Sequence, residues 1–396
     1  MQLLSSRGFI SAAGEAITSG VIDEINLQFQ YGIPELDVKT TLVTTGNAFA
    51  QNGFAMISTG THSNGGATIQ SIQNVRYRAG HESYAFFTAS FTMPSAIHSK
   101  QLIGLFDDND GVAVGLNGGL GFSILFRKAG NTDLYIPQSK FNLDPLNGNG
   151  PSGFTLNPAC LNLFRISYGW LGASPIKFQI LNSDGVWITF HLIERPNSGV
   201  DISFKNPTFP IRAQVFNNGN TSDIVLKTLS WNAGIVGGPS TSASRFFSKS
   251  NFITILDPNT ETHVITFQNQ PTFQSVINKV AAHVTAIGGG GNDFSNNPIL
   301  IRLYKNALVT GTNFTNVNSA DSVMLFSTDG TFVPTGLSES FLFISNSFGG
   351  GPQNLFIPQE NLNIVFQPGE TITLTAESLG SSGIPTIGTM TWEELF

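Results

Sequence analysis

Alternation of apolar and polar residues is the feature that most constrains the fold of this chain. Between Phe164 and Leu192 it runs through three short segments, residues 164–168, 176–180 and 188–192. A period of two is typical of half-buried β-strands, because successive side chains point to opposite faces of a sheet. The stretches between them are rich in Gly, Ser, Pro, Asn and Asp, which turns require. The sequence therefore predicts three consecutive antiparallel strands.

Similar alternating segments recur at short spacing beyond residue 22, and no long segment has the helical period. Only 11% of the residues are charged, while glycines number 42 and apolar residues make up 40% of the chain. Few charges with many glycines fit turn-rich β-structure, and the apolar content argues against disorder. We predict an all-β protein with two β-sandwich, jelly-roll-like domains joined by a Gly/Pro/Ser linker.

Changes in composition along the chain define the expected domains. Residues 1–22 lack a period of two and are interpreted as an N-terminal arm that packs on the domain or on a neighbouring subunit. Residues 23–232 form the first sandwich, and residues 233–244 are interpreted as a linker because they lack an apolar period. Residues 245–396 form a C-terminal jelly-roll sandwich.

Charge and cysteine content exclude several classes of function. A net charge of −7 provides no basic patch for nucleic acid, so no nucleic-acid partner is expected. Cys160 is the single cysteine, which excludes an internal disulfide. No secretory signal is recognised, and no apolar window approaches the roughly 20 residues of a membrane span. We expect a soluble protein made inside a cell.

Four landmarks in the first domain resemble a module of virion structural proteins from tailed phages and large DNA viruses. They are the Arg-Tyr-Arg-Ala-Gly motif at 76–80 with the aromatic strand that follows it, the acidic turn at 107–111, the Leu-Asn-Gly at 116–118 and the Trp-Leu-Gly at 170–172. The resemblance covers about residues 70–231 and implies a sandwich similar to that of concanavalin-like lectins and glucanases. The second domain, with Pro368-Gly369 and Trp392 near its end, resembles jelly rolls attached to viral fibres and spikes.

The acidic turn at 107–111 is the densest cluster of carboxylates. Asp107, Asp108 and Asp110 could ligate Ca²⁺, which prefers oxygen ligands. The spacing departs from the EF-hand pattern, because Gly118 stands at the twelfth position where that pattern has Glu. A tight turn whose Asp and Asn side chains bond their own backbone explains the same residues. Calcium at this turn is the one cofactor that the sequence offers.

Recognisable catalytic motifs are missing. The Glu-x-Asp-x-x-Glu motif, which the resemblance to glucanases would bring, is absent, and Asp184 in a turn is the one acidic residue between 164 and 192. The six histidines show no metal-ligand spacing, and no Gly-x-Ser-x-Gly elbow is present. We expect no enzymatic activity.

Carbohydrate binding is the alternative function that the residues allow. Lectin sites combine an aromatic side chain with Asn and Asp on loops, and Trp170, Asn147 and Asn149 are the candidate ligand-binding residues. Asn217, Asn218 and Asn220 belong to the same class. Asn-rich loops also occur where turns need residues that tolerate positive φ. Phe178 and Trp187 are expected in the core, whereas Trp170, on a turn, is free to meet a partner.

The leading hypothesis is a non-enzymatic virion structural protein, such as a capsid-associated, spike, fibre or tail component. It would form homo-oligomers, contact other virion proteins and reside in virions assembled in the host-cell cytoplasm. Few charges and Phe-rich strands suit subunit interfaces, which are depleted in charge. The alternative is a receptor-recognition protein that binds a host-surface glycan, and the second alternative is a polysaccharide-degrading enzyme.

Overall fold

The computed structural model describes residues 21–93, 95–169, 172–237, 245–291, 298–334, 341–348, 353–358 and 364–396. The chain divides into two compact units, Met1–Pro239 and Ser240–Phe396, here called the N-terminal and C-terminal units. Both consist of antiparallel sheets, and the described residues contain one 3₁₀ helix, Gln138–Lys140. The predicted all-β sandwich class is confirmed. Within the described ranges, no helix has the length and apolar character needed to cross a bilayer.

Strands β1 to β16 belong to the N-terminal unit. They are β1 Val21–Gln28, β2 Val38–Val43, β3 Asn47–Gln51, β4 Phe54–Ser58, β5 Gly66–Ser71, β6 Glu82–Phe91, β7 Ser99–Phe106, β8 Gly111–Asn117, β9 Gly121–Arg127, β10 Leu134–Pro137, β11 Asn162–Gly169, β12 Ile176–Leu181, β13 Trp187–Ile193, β14 Ile211–Asn217, β15 Val225–Thr228 and β16 Ser230–Val236.

Two sheets form the layers of the N-terminal unit. The nine-stranded sheet has the order β13-β12-β11-β6-β15-β4-β3, with β16 also pairing with β6 and β1 pairing with β16. The seven-stranded sheet has the order β10-β9-β8-β7-β14-β5-β2. Apolar side chains of both sheets form one fully buried core, which includes Phe87, Phe164, Phe178, Ile103, Val114, Ile124 and Ala213. The inward positions of the alternating strands therefore fill the space between the layers.

The three strands predicted between 164 and 192 are present as consecutive antiparallel neighbours. Ile166 of β11 lies opposite Phe178 of β12, and β13 follows on the other side of β12. Phe178 is fully buried in the core, as predicted. Trp187 differs, because it precedes the inward-facing Ile188 and lies half-buried on the outer face, with its ring 5.6 Å from that of Phe86.

The first sandwich extends beyond the predicted boundaries at both ends. Strand β1 begins at Val21, which pairs with Val236 at the end of β16. Residues 233–236 thus belong to a strand, whereas the Gly, Pro and Ser content of residues 233–244 and their lack of an apolar period predict a linker. Ala233 and Ile235 are fully buried, which explains why this segment stays in the sheet. Residues 1–20 of the predicted arm and residues 238–244 of the predicted linker lie outside the described residues.

Strands β17 to β31 belong to the C-terminal unit. They are β17 Arg245–Ile255, β18 Thr262–Asn269, β19 Thr272–Phe273, β20 Val276–Ile277, β21 Ala282–Gly291, β22 Ile299–Lys305, β23 Val309–Thr310, β24 Thr315–Asn316, β25 Met324–Ser327, β26 Thr331–Phe332, β27 Phe341–Phe348, β28 Gln353–Pro358, β29 Val365–Phe366, β30 Thr371–Ser378 and β31 Ile384–Glu394.

The C-terminal unit is also built from two main sheets. One has the order β17-β31-β21-β28, with β29 also on β21, and the other has the order β24-β25-β18-β30-β22-β27. Trp392 of the first sheet packs against Phe267 of the second, with 5.1 Å between ring centroids. Leu374 and Ile287 are fully buried in the same cluster. The core of this unit therefore joins both sheets, as in a sandwich.

Candidate functional site

The alternation that fills the first core also places polar side chains on the outer face of the seven-stranded sheet. Across this face, the pairing of strands puts Tyr135, Leu125, Ala113, Gly104 and Arg212 side by side. Small residues at the centre of this row leave room between the long side chains at its ends. The register therefore produces a depression bounded by polar groups.

A pocket of about 540 Å³ occupies this depression. We call it the sheet-face pocket, and it is lined by Lys100, Asp108, Arg127, Asn131, Thr132, Asp133, Tyr135 and Gln214. These residues come from β7, β9, β10, β14 and the turns that follow β7 and β9. The antiparallel pairing of strands distant in sequence is what brings them together.

Two arginines, Arg127 in the lining of the pocket and Arg212 next to it, rest on one buried ring. The guanidinium carbons of Arg127 and Arg212 lie 5.7 Å and 5.4 Å from the centroid of Phe106, which is fully buried. Phe106 belongs to a small apolar cluster on the outer face, with Leu102 and Leu125. Cation–π attraction and packing of the arginine stems hold both cations against this floor.

Both arginines are paired with carboxylates. Arg127 Nε donates to Asp133 Oδ1 at 2.7 Å, and Arg127 Nη2 donates to Asp133 Oδ2 at 2.9 Å. Arg212 Nη1 donates to Asp108 Oδ1 at 2.5 Å, while its other nitrogens bind Gln70 Oε1. Two-point pairing fixes the guanidinium plane as well as its position. The cationic side of the pocket is therefore rigidly arranged.

Two ionisable groups of the pocket, Asp133 and Tyr135, have pKa values shifted away from neutral pH. Burial raises the pKa of the Asp133 carboxyl, but the hydrogen bonds and positive charge of Arg127 outweigh burial and leave that pKa below its ordinary value. Burial raises the pKa of the Tyr135 hydroxyl, and the nearby Asp133 charge raises it further. Asp133 therefore remains charged and Tyr135 remains neutral.

Four polar side chains of the pocket have no hydrogen-bond or ion-pair partner among the described residues. They are Lys100, Asn131, Thr132 and Gln214. The Lys100 ammonium lies 4.9 Å from the centroid of the half-buried Tyr135 ring. These donors and acceptors surround an aromatic side chain and are available to a ligand.

The acidic turn predicted as a calcium site forms the connection between β7 and β8. Asp107 Oδ1 accepts hydrogen bonds from the backbone nitrogens of Asn109 at 2.7 Å and Asp110 at 2.9 Å. Asp110 is 2% exposed, and its Oδ1 accepts from the backbone nitrogens of Ala129 and Lys205. The hydrogen bonds of a turn thus account for this cluster, as in the alternative explanation.

Only one residue of that cluster, Asp108, lines the sheet-face pocket, where it pairs with Arg212. No group of three or more His, Cys, Asp or Glu side chains within the described ranges is arranged to hold a metal ion. The turn ends at Gly111, whose φ is 127°. A side chain there would place Cβ 2.3 Å from Cα of Phe106, so the close approach of β7 and β8 requires glycine.

Two of the predicted ligand-binding residues, Asn147 and Asn149, lie outside the sheet-face pocket. Asn147 and Asn149 are exposed in the connection between β10 and β11, where Asn147 Oδ1 accepts a hydrogen bond from the Asn149 backbone nitrogen at 3.0 Å. Asn147 also forms a bridge with Thr155. Neither residue lines the sheet-face pocket. Trp170 lies outside the described residues.

Sequence reasoning did not identify Lys100, Arg127, Tyr135 or Gln214. A signal was present, since Arg212 and Gln214 are polar at alternating positions between Ile211, Ala213 and Val215 of a predicted strand. That pattern shows that Gln214 faces outward but not which strand lies beside it. Strand β14 sits next to β7, more than 100 residues earlier in the chain.

A second pocket, of about 350 Å³, lies on the outer face of the nine-stranded sheet. We call it the amide pocket, and it is lined by Asn26, Gln28, Gln30, Gly53, Phe86, Phe87, Leu163, Leu229, Ser230, Trp231 and Asn232. Asn26 lies opposite Asn232, and Gln28 lies opposite Ser230. None of its lining side chains is ionisable, in contrast with the sheet-face pocket.

No protein-family model matches this chain, and no curated protein matches it. Solved structures to which it is similar include the cellulose-induced protein Cip1 (14% identity, 54% of this chain and 100% of that chain, TM-score 0.36). Another is the exoplasmic/lumenal domain of VIP36 in its Ca²⁺/Man3GlcNAc-bound form (10% identity, 56% and 92%, TM-score 0.35). A third is lectin I-B4 of Griffonia simplicifolia in its metal-free form (13% identity, 53% and 99%, TM-score 0.34).

At these identities and TM-scores, the three structures carry no argument about the function of this chain. The geometry of the sheet-face pocket therefore carries the functional proposal.

Proposed function

We propose that the N-terminal unit is a saccharide-binding module and that the sheet-face pocket is its binding site. The observation that carries this proposal is the set of unpartnered polar side chains around Tyr135. Saccharide hydroxyls donate and accept hydrogen bonds, which matches the amides of Asn131 and Gln214 and the hydroxyl of Thr132. The apolar face of a sugar ring can pack against the exposed part of the Tyr135 ring.

Binding without catalysis is supported by the state of the carboxylates in the pocket. Glycoside hydrolysis needs one carboxyl group that can act as an acid and a second that acts as nucleophile or base. Asp133 and Asp108 are both held by arginines, at 2.7 Å and 2.5 Å. The lowered pKa of Asp133 keeps it ionised near neutral pH, so it is poorly suited to donate a proton.

A glycan array probed with the full chain tests the proposal. We expect binding to a defined class of saccharides, with Asn131→Ala and Gln214→Ala each weakening it about fivefold or more, as expected for loss of a hydrogen bond in a binding site. Asn149→Ala is the matched control, because it removes an exposed amide outside the pocket. Trp170→Ala tests the site predicted from the sequence.

Loss of binding in Asn149→Ala or Trp170→Ala, with Asn131→Ala and Gln214→Ala unchanged, would move the site away from the sheet-face pocket. An array on which the full chain binds no saccharide would refute the proposed function.

The virion role inferred from the sequence resemblance stays a prediction, together with the homo-oligomer, the virion partners and the virion location. A saccharide-binding unit is compatible with receptor recognition on a host surface, which was the alternative function predicted from the sequence. The C-terminal unit would then serve to attach the saccharide-binding unit to a larger assembly. Measuring the mass of the purified full chain by light scattering tests the oligomer.

A further inference from the structure

We infer that the ligand of the sheet-face pocket is an acidic saccharide, whose carboxylate or sulfate group is bound by Lys100. This inference rests on the proposed function and adds the charge of the ligand to it. It is carried by three observations on the pocket: its balance of charges, the position of Lys100, and the contrast with the amide pocket.

The charges of the pocket and of its neighbour Arg212 do not cancel when they are counted together. The lining supplies two positive charges, Lys100 and Arg127, and two negative charges, Asp108 and Asp133. Arg212, which pairs with Asp108 from outside the lining, adds a third positive charge. Each carboxylate forms an ion pair with one arginine, Asp133 with Arg127 and Asp108 with Arg212. Lys100 forms no ion pair with a carboxylate in the described part of the chain, although its positive charge contributes to lowering the pKa of the Asp133 carboxyl. One positive charge is therefore left over, although the whole chain carries −7.

The excess charge is also unevenly screened. The side chain of Asp108 is 84% exposed, whereas that of its partner Arg212 is 8% exposed. Water screens the outward-facing carboxylate more strongly than the cation on the sheet. The floor of the pocket is consequently more positive than its formal charge count indicates.

Lys100 is positioned to bind an anionic group of a ligand. It is half-buried on β7, and its ammonium lies 4.9 Å from the centre of the Tyr135 ring. Attraction to the ring holds the ammonium at the wall of the pocket rather than extended into solvent. A cation in a concave site attracts an anion more strongly than the same cation on a convex surface. Tyr135 thus positions Lys100 for an anionic group of the ligand.

The amide pocket shows what a site without this preference looks like in the same unit. Its polar lining consists of Asn, Gln and Ser side chains, with no ionisable group. Neutral sugars need only such groups, since their hydroxyls carry no charge. The concentration of charge in the sheet-face pocket therefore points to an acidic ligand there.

The test compares three classes of saccharide on one array of the full chain: neutral oligosaccharides, uronate-containing oligosaccharides and sulfated oligosaccharides. Calorimetry then measures the affinity of the best binder for three proteins, which are the unchanged chain, Lys100→Gln and Lys39→Gln. Lys39 is the matched control, because it is exposed on β2 of the same sheet and lies outside the pocket.

We expect binding to at least one acidic class and an affinity about tenfold lower in Lys100→Gln, in line with the loss of a charge-assisted hydrogen bond. Lys39→Gln should bind as the unchanged chain does. The affinity of the unchanged chain should fall as NaCl rises from about 0.05 M to about 0.5 M, and this fall should be smaller in Lys100→Gln.

The outcomes separate the two proposals. Binding of neutral saccharides alone, weakened by Gln214→Ala and unaffected by Lys100→Gln, would overturn the inference and leave the proposed function standing. Equal losses in Lys100→Gln and Lys39→Gln would show attraction to the general surface and would also overturn the inference. Failure to bind any saccharide would overturn both.

Discussion

The Arg127 guanidinium holds the Asp133 carboxylate at two points, with Nε 2.7 Å from Oδ1 and Nη2 2.9 Å from Oδ2. Arg127 also donates from Nη1 to the Asp107 carbonyl oxygen at 2.6 Å, which ties it to the turn after β7. This pair joins the turn after β9 to the turn after β7. It therefore fixes one wall of the sheet-face pocket as well as the charge on it.

Replacing Asp133 with Asn should destabilise the N-terminal unit by about 1 kcal/mol at pH 7, a value reduced for the partial exposure of the pair. The Asn amide carries no negative charge, so the Arg127 guanidinium loses its ion-pair partner. Hydrogen exchange of the full chain, read by mass spectrometry, reports each unit separately and checks this. Asp184→Asn, in an exposed turn, is the control and should change little.

The cost of Asp133→Asn should depend on pH. A carboxyl whose folded pKa is lowered contributes stability above its unfolded pKa of about 3.9 and loses it as pH falls through the folded value. The difference between the unchanged chain and Asp133→Asn should therefore be constant from pH 5 to 8 and shrink below about pH 4. A difference that stays constant in acid would contradict the ion pair.

His191 should make the N-terminal unit less stable in mild acid. It is buried against Phe141 and Phe178, and burial lowers the pKa of its imidazole to about 4. Its Nδ1 accepts a hydrogen bond from the Asn142 backbone nitrogen at 3.2 Å, which requires that nitrogen to be unprotonated. Between about pH 6.5 and pH 4 the unfolded chain binds the extra proton, so stability falls as pH falls.

Titration of histidine ring signals by NMR measures this pKa in the full chain, with His191→Asn used to assign the signal. The Asn side chain retains an acceptor for the Asn142 N–H and has no proton to gain. Acid lowers the free energy of unfolding of the N-terminal unit, and we expect this decrease to be about 1 to 2 kcal/mol smaller in His191→Asn. The exposed His98→Asn should leave that loss as it is, and a His191 signal that titrates near pH 6.5 would refute the prediction.

Glu394 should be the most sensitive charged residue of the C-terminal core. It is fully buried, and its carboxylate accepts hydrogen bonds from Ser322 Oγ at 2.5 Å, the Val323 backbone nitrogen at 2.8 Å and Trp392 Nε1 at 2.9 Å. Glu394→Ala leaves three buried donors without an acceptor and should cost about 3 kcal/mol or more. Hydrogen exchange in β25 and β31 measures the loss. Glu393→Ala, at the half-exposed neighbouring position, should cost much less, and equal costs would contradict this role.

The alternation of apolar and polar residues was sufficient to predict burial where the burial of a residue depends only on the strand that contains it. The alternation at 164–192 predicted β11, β12 and β13, and Phe178 lies in the core as expected. Pattern was insufficient at 233–236, where the lack of an apolar period indicates a linker, although Ala233 and Ile235 are buried in a strand that pairs with β1 and β6.

In the candidate site, too, some residues could be recognised from local sequence and others could not. Asparagines on loops drew attention to Asn147 and Asn149, yet one of them caps the backbone of the other. The local pattern shows that Gln214 faces outward, but it does not show that Lys100 and Tyr135 lie near Gln214, because these residues belong to different strands. Lys100, Tyr135 and Gln214 lie in one pocket only because the order of the strands in the sheet brings them together.

The sequence by itself determined that the protein is all-β, that β11, β12 and β13 are consecutive strands, and that Phe178 lies in the core. These follow from the period of two and from turn chemistry, both of which act over a few residues. The tertiary structure alone decided that β14 lies beside β7 and that Tyr135 meets Lys100. The physical reason is that pairing between distant strands is selected by the packing of the whole core, which no local stretch of sequence records.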